Sequence, residues 1–324
     1  MRSASWLQTA GRRAIHLALV LFLVSAGTFS LLQFTPGDPA LAILGNSATP
    51  QAVKEIDHQL GLDKPLLTQY GHWISHALTG NLGSSLVPPG GTVVSRIAQT
   101  LPVSLELTVL AVFMALLLAI PIGVWSAYRE GGPFDRFFSG TSFGLLSTPG
   151  FVTGLVLALL FSLEVRAFPR SQWVRITSSQ GVPSNLKHAF LPALTLALPL
   201  MAIYTRLLRA DMVQTLREDY ITFARSKGMP VRKVLLRYAL RPSSISLITL
   251  SGVTLGALLG GTVIVETIYA LPGMGQLLVT AVGDNDYPIV QGVVLIVAVS
   301  YVLLNLIVDV SYGFLDPRTR RGRR

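Results

Sequence analysis

DYITFARSKGMPVRKVLLRYALRP, residues 219–242, lies between two apolar runs and carries Arg225, Lys227, Arg232, Lys233, Arg237 and Arg241. Asp219 is placed to cap a helix that starts near Tyr220, where its charge favours the positive helix end. Gly228 falls at the position after the helix, where a positive φ carries no Cβ penalty, and Pro230 suits the opening of a second helix. In that second helix Val231, Val234, Leu235 and Tyr238 recur at i, i+3, i+4 and i+7, which gives one apolar side. Arg232, Lys233 and Arg237 lie off it. Pro242 is expected to end the helix. So much ordered helical pattern between two apolar runs points to a surface at which another molecule docks.

The surrounding chain is a membrane chain by composition. Of 324 residues 51% are hydrophobic and 13% charged, whereas soluble domains carry nearer a quarter charged residues. Zero cysteines exclude disulfides and thiolate metal sites. Six segments are long and apolar enough to cross about 30 Å of hydrocarbon: residues 14–32, 103–125, 141–161, 191–208, 244–268 and 289–312. The fold class expected is therefore an all-α integral membrane protein of six transmembrane helices.

Basic residues set the orientation. The tail 1–13, the loop 126–140, the stretch from Arg206 to Arg241 and the tail 313–324 hold nineteen of the 26 Lys and Arg, and the alternate loops hold seven. An excess of positive charge marks cytoplasmic loops, so both termini and the loop 209–243 are expected inside. The net charge of +10 then reports topology and gives no nucleic-acid footprint.

The first 32 residues imitate a secretory signal, but the apolar run is longer than an h-region and no clean cleavage site follows, so they read as a retained first span. An external segment, 33–102, opens on Pro36-Gly37-Asp38-Pro39. Within it Thr49-Pro50 starts a helix that Gly61 ends, and Lys64-Pro65 starts a second that Gly80 ends. His72 and His76, at i and i+4 on the second, have metal-pair spacing but no third ligand, and an amphipathic interfacial helix is the preferred reading. From 103 to 312 a five-span core is expected. Glu106 lies one turn inside the outer end of the second span, a functional candidate by virtue of its charge, although water or Arg96 would satisfy it. Pro149, in Ser147-Thr148-Pro149-Gly150, marks a kink suited to a pathway wall. Gly140-Thr141-Ser142-Phe143-Gly144 spells a nucleophile elbow, but at the mouth of a membrane helix it reads as chance. Gly252, Gly256, Gly260 and Gly261 permit close helix approach in the fifth span. Beyond it, Pro272, Gly273 and Gly275 are expected to form a loop or re-entrant turn at the outer face, following Glu266.

Aligned on Gly228, the stretch resembles the coupling-loop motif of ABC importer permeases: Glu-Ala-Ala, three residues, Gly, nine residues, Ile-x-Leu-Pro. Thr222, Phe223 and Ala224 occupy the first three positions and Tyr238, Leu240 and Arg241 the last. Thr222 thus stands where the motif has Glu. The spelling DYITFARSKG followed by ALRPS is similar to the dipeptide, oligopeptide and nickel branch. So, in order, are Pro36–Pro39, Leu60-Gly61-Leu62-Asp63-Lys64-Pro65, Gly80-Asn81-Leu82-Gly83-Ser84, the run Glu266–Gly275, Asp286–Gly292 and the ending Leu315–Arg318.

That resemblance implies a type I importer permease in a bacterial inner membrane, carrying peptides or related small solutes by alternating access. It implies a second homologous permease subunit, two cytoplasmic P-loop ATPase subunits that bind ATP and Mg, and an external solute-binding protein, all within membrane lipid and without nucleic acid. Asp219, Tyr220, Thr222, Phe223, Ala224, Arg225, Lys227 and Gly228 are the ATPase-coupling candidates. Pro149, Glu106 and Glu266 are candidates for pathway or gating, with no catalytic or metal residues. Independently, the chain has no Gly-Lys dipeptide and so no P-loop. It is not expected to be an enzyme. Dipeptide, longer peptide, nickel chelate and sugar remain open as solutes, as does a hetero- or homodimeric permease pair. The competing reading is an ion-coupled secondary transporter, which needs midplane coupling groups and usually inverted repeats.

Overall fold

A computed structural model describes residues 15, 17–30, 49–60, 63–87, 90–169, 173–177 and 181–315. The tail 1–13, the Pro36–Pro39 turn, the helix-ending Gly61 and the tail 316–324 lie outside the described residues.

The described residues are helical almost throughout. In order come α1 (Leu17–Ser30), α2 (Pro50–Leu60), α3 (Leu66–Leu78), α4 (Val93–Tyr128), α5 (Pro133–Ser147) and α6 (Gly150–Leu157), which continues as a π-helix over Ala158–Glu164. Next are α7 (Gly181–Leu216), α8 (Asp219–Ser226) and α9 (Val231–Gly261), with a π-helical stretch at Val234–Ala239. The order closes with α10 (Val263–Ile268), α11 (Met274–Gly283) and α12 (Tyr287–Leu315).

Among the described residues, α4, α7, α9 and α12 are each long and apolar enough to cross a membrane, and α5 with α6 makes a fifth crossing if the bent pair counts as one. The expected third span, 141–161, is therefore not straight. Its two halves meet at 104°, where Pro149 caps α6 and Thr148 is extended. The segment expected as the first span appears as the shorter α1.

Two further expectations are corrected. Pro242 does not end its helix, which runs unbroken to Gly261. Proline in a helix removes one N–H and collides with the carbonyl four residues back; here the wider π-helical turn ends three residues before it and changes the local register. Gly275 lies inside α11 rather than in a turn, and Gly273 is the residue before it. The turn itself forms at Tyr269–Gly273, with Ala270 at φ 48.

The chain divides into two units, residues 1–103 with 272–302 and residues 104–271 with 303–324. In the first, Phe22 and Phe29 of α1 meet Tyr70 edge-on at ring separations of 6.2 and 5.6 Å, and Ser25 shares a 2.8 Å hydrogen bond with the Tyr70 hydroxyl. Pro65 precedes α3 and Gly80, at φ 84, follows it, as the punctuation predicts. His72 and His76 are both exposed. Asp286 accepts hydrogen bonds from the Ser85 hydroxyl and, at 3.2 Å, the Leu86 N–H. The signature stretch that begins at Asp286 is thus tied to the two residues that follow Gly80–Ser84.

The second unit holds the larger core, in which α4, α7 and α9 bring together Ala115, Ala119, Tyr204, Leu208, Met212 and Leu247. The small-residue face of α9 has a partner within the chain. A Cβ on Gly252 would lie 2.6 Å from Val308 of α12, so glycine is what permits that approach.

Candidate functional site

α8 is short, and eight residues do not hold a helix in isolation. Three local features fix it. Glu218, extended at φ −69 and ψ 147, precedes it without a side-chain cap; Asp219 is the first helical residue and not the cap that the sequence suggested. Its carboxylate sits in the first turn and complements the helix dipole. At the far end Gly228 has φ 69. The Gly228 N–H donates to the Arg225 carbonyl at 2.9 Å and the Met229 N–H to Ala224 at 3.3 Å, the paired bonds of a Schellman stop. Pro230 then occupies the residue before α9.

Packing sorts the side chains of α8 by face. Ile221 is fully buried and Ala224 nearly so, whereas Tyr220 is 45% and Phe223 61% exposed. Ile221 shares its cluster with Leu208 and Met212 of α7 and with Val234 and Leu235 of α9. Thr222, Arg225 and Lys227 are also exposed, and the Lys227 ammonium sits 4.5 Å from the centre of the Phe223 ring. The Tyr220 hydroxyl reaches the Tyr238 carbonyl at 3.5 Å, the carbonyl that Pro242 cannot serve. Val234 and Leu235 face inward as the heptad spacing predicts, but Val231 is exposed. The periodicity of α8 was too short to nominate Ile221 as the residue that holds it down.

The inner turn between α4 and α5 is tied to α7. Arg209 grips Asp135 with two parallel hydrogen bonds, Nε to Oδ1 at 2.5 Å and a terminal amine to Oδ2 at 2.7 Å. The Gly131 N–H adds a third to Oδ2 at 2.8 Å. A second pair, Arg217 with Glu130 at 2.9 Å, is exposed. Neither pair is legible from spacing, since each spans more than seventy residues of chain.

The three residues singled out for a pathway lie in the second unit. Pro149 stands at the 104° bend. Glu266 of α10 is fully buried and accepts the Ser104 hydroxyl at 2.6 Å. The next turn places Tyr269, whose hydroxyl lies 3.1 Å from both the Gly154 carbonyl and Thr195 Oγ1, so α10 is pinned to α4, α6 and α7 together. Glu106 faces the side-chain amide of Asn185, with Oε1 buried and unpartnered; the Arg96 guanidinium donates to the Gly90 carbonyl at 3.0 and 3.3 Å. Ser142 is a buried residue in mid-α5, without the strand-to-helix turn that an elbow requires. Among the described residues no group of three or more His, Asp or Glu is arranged to hold a metal ion.

Two family models account for most of the chain. The binding-protein-dependent transport system inner membrane component matches residues 119–321, and the N-terminal part of such membrane components matches residues 7–108. A "Probable peptide ABC transporter permease protein" of Sinorhizobium fredii is 37% identical over 309 residues, covering 95% of this chain and 98% of that protein. The glutathione transport system permease protein GsiC of Escherichia coli is 36% identical over 312 residues, covering 95% and 97%. These matches favour an ATP-driven importer over the ion-coupled reading. The chain belongs to the family of binding-protein-dependent transport system inner membrane components and is a multi-pass permease component of the inner membrane.

Proposed function

We propose that this chain forms half of the translocation pathway of an ATP-driven importer for di- or oligopeptides or related small solutes, and that α8 is the lever on which a partner ATPase acts. Six spans with both termini inside, a cytoplasmic loop at 209–243 and an external segment at 33–102 complete the arrangement. A second permease subunit, two P-loop ATPases that bind ATP and Mg, and an external binding protein make up the assembly. The peptide class is supported by the relatives, which are named for peptides and for glutathione.

The observation that carries the lever is the division of α8 into a buried and an exposed face. Ile221 and Ala224 hold it to the body of the protein while Tyr220 and Phe223 stand exposed beside Arg225 and Lys227. Aromatic side chains dominate interface energetics and rim charges steer association. The rods on either side, α7 and α9, carry movement of α8 into the bundle, so that ATP-driven closure of the ATPases shifts the spans between inward- and outward-open states.

The experiment is a mild-detergent purification of the chain from its native membrane. P-loop ATPases and a second permease should co-purify with the wild type, and the ATPases should be lost with Phe223→Ala while the chain itself remains inserted. Retention of the ATPases by that variant, with wild-type uptake, would remove α8 as the lever. A chain that comes alone under conditions preserving other membrane complexes would remove the assembly.

A further inference from the structure

We infer that the Asp135–Arg209 pair is a strut that carries the movement of α8 to the bend at Thr148–Pro149, which makes both residues positioning residues for transport. The inference rests on the reading of α8 as the lever and adds the route by which its motion leaves it.

The route is continuous within one unit. Ile221 of α8 belongs to the same buried cluster as Met212 and Leu208 of α7, which couples a shift of α8 to α7. Arg209 sits one turn before Met212 on the same helix. Its guanidinium meets Asp135 through two parallel hydrogen bonds of 2.5 and 2.7 Å, a planar fork that resists rotation as well as separation. The Asp135 side chain is 4% exposed against 29% for Arg209, so water competes poorly for the carboxylate. The Gly131 N–H at 2.8 Å and the Ser139 hydroxyl at 3.4 Å occupy its remaining acceptor capacity.

Asp135 is the third residue of α5, at the end remote from the bend. From it the rod runs to Ser147, where the chain turns by 104° into α6. Beyond the bend, the Gly154 carbonyl of α6 accepts the Tyr269 hydroxyl at 3.1 Å, which anchors the second arm. One arm of the broken helix is thus held at Asp135 and the other at Gly154. Between them lies the only part of the α5–α6 pair with extended backbone, Thr148 and Pro149. The neighbouring Arg217–Glu130 pair ties the same turn to the residue just after α7, but both partners are exposed, and exposed pairs hold geometry weakly.

The chain lacks cysteine, so paired spin labels at Phe137→Cys on α5 and Leu155→Cys on α6 report the bend directly; both side chains are exposed. The test uses the full complex in lipid, comparing the nucleotide-free state with the ATP–vanadate-trapped state. A 15° change about an arm of about 15 Å moves the first label by about 4 Å. Such a shift is expected with Asp135 and Arg209 intact. Arg209→Lys keeps the charge but loses the fork, so the shift should fall by at least half while ATP hydrolysis continues. The exchange Asp135→Arg with Arg209→Asp should recover part of it. An equal shift in Arg209→Lys and in the intact chain overturns the strut, as does a bend that does not respond to nucleotide in an actively hydrolysing complex. A complex without ATP hydrolysis fails at the importer reading instead.

Discussion

The Ser104 hydroxyl donates to Oε1 of Glu266 at 2.6 Å, and both side chains are fully buried in the protein. Replacing Glu266 with Leu leaves a buried hydroxyl without this acceptor, at a cost of about 1–3 kcal/mol. Thermal unfolding in mild detergent should therefore show a lowered midpoint for Glu266→Leu and for Ser104→Ala alike, since each change removes one side of the bond. Adding Ser104→Ala to Glu266→Leu should cost little more, because the bond between them is already lost. Additive losses from the two substitutions would mean that they do not act as a pair.

Ile221 and Phe223 are two residues apart on α8 yet have opposite environments. Ile221→Ala removes a fully buried side chain and should destabilise the chain by about 2–5 kcal/mol, whereas Phe223→Ala, at an exposed position, should change stability by less than about 0.5 kcal/mol. ATPase co-purification should respond strongly to Phe223→Ala despite its unchanged unfolding midpoint. Equal thermal losses would contradict the two-faced helix.

Gly228 has φ 69 and open space around the position of a Cβ. Any penalty for Gly228→Ala is thus conformational rather than steric, about 1–2 kcal/mol for an L-residue forced into the left-handed region. Asn tolerates that region better, so Gly228→Asn should retain more uptake than Gly228→Ala although its side chain is larger. The reverse order would place the limitation in space and not in φ.

Gly252 presents the opposite case, because its φ is unremarkable and its space is filled. A Cβ there would lie 2.6 and 2.7 Å from the two γ-carbons of Val308. Gly252→Ala should lower stability by about 1–3 kcal/mol through overpacking, and Val308→Ala should restore part of the loss. Thermal unfolding of the two single variants and the double variant checks both statements.

Local punctuation was legible in the sequence, and distant pairing was not. Gly228, Pro230, Pro65 and Gly80 each stand where their backbone preferences predict, because a φ requirement or a missing N–H acts within a few residues. Glu266 was visible as a charge in an apolar run, but nothing in the spacing named Ser104 as its partner, 162 residues away. Arg209 likewise looked like one more basic residue near a membrane face, and its grip on Asp135 emerged only with the packing of α5 on α7. The Pro242 rule failed for a related reason. Proline's effect on a helix depends on the turn preceding it, and a six-residue π-helical stretch gives no simple hydrophobic period.

That stretch also sets the phase of everything after it. An α-helix turns about 100° per residue, so each residue accommodated by widening a turn rotates the remainder of the rod relative to an uninterrupted helix. Deleting a single exposed residue such as Leu236 should let Val234–Ala239 tighten to ordinary α geometry while Gly252 keeps facing Val308, because the widened turn absorbs that residue locally. Here a one-residue gap between related chains is silent if it falls within the widened turn, whereas the same gap farther along would turn the face offered by the 22 residues of Leu240–Gly261.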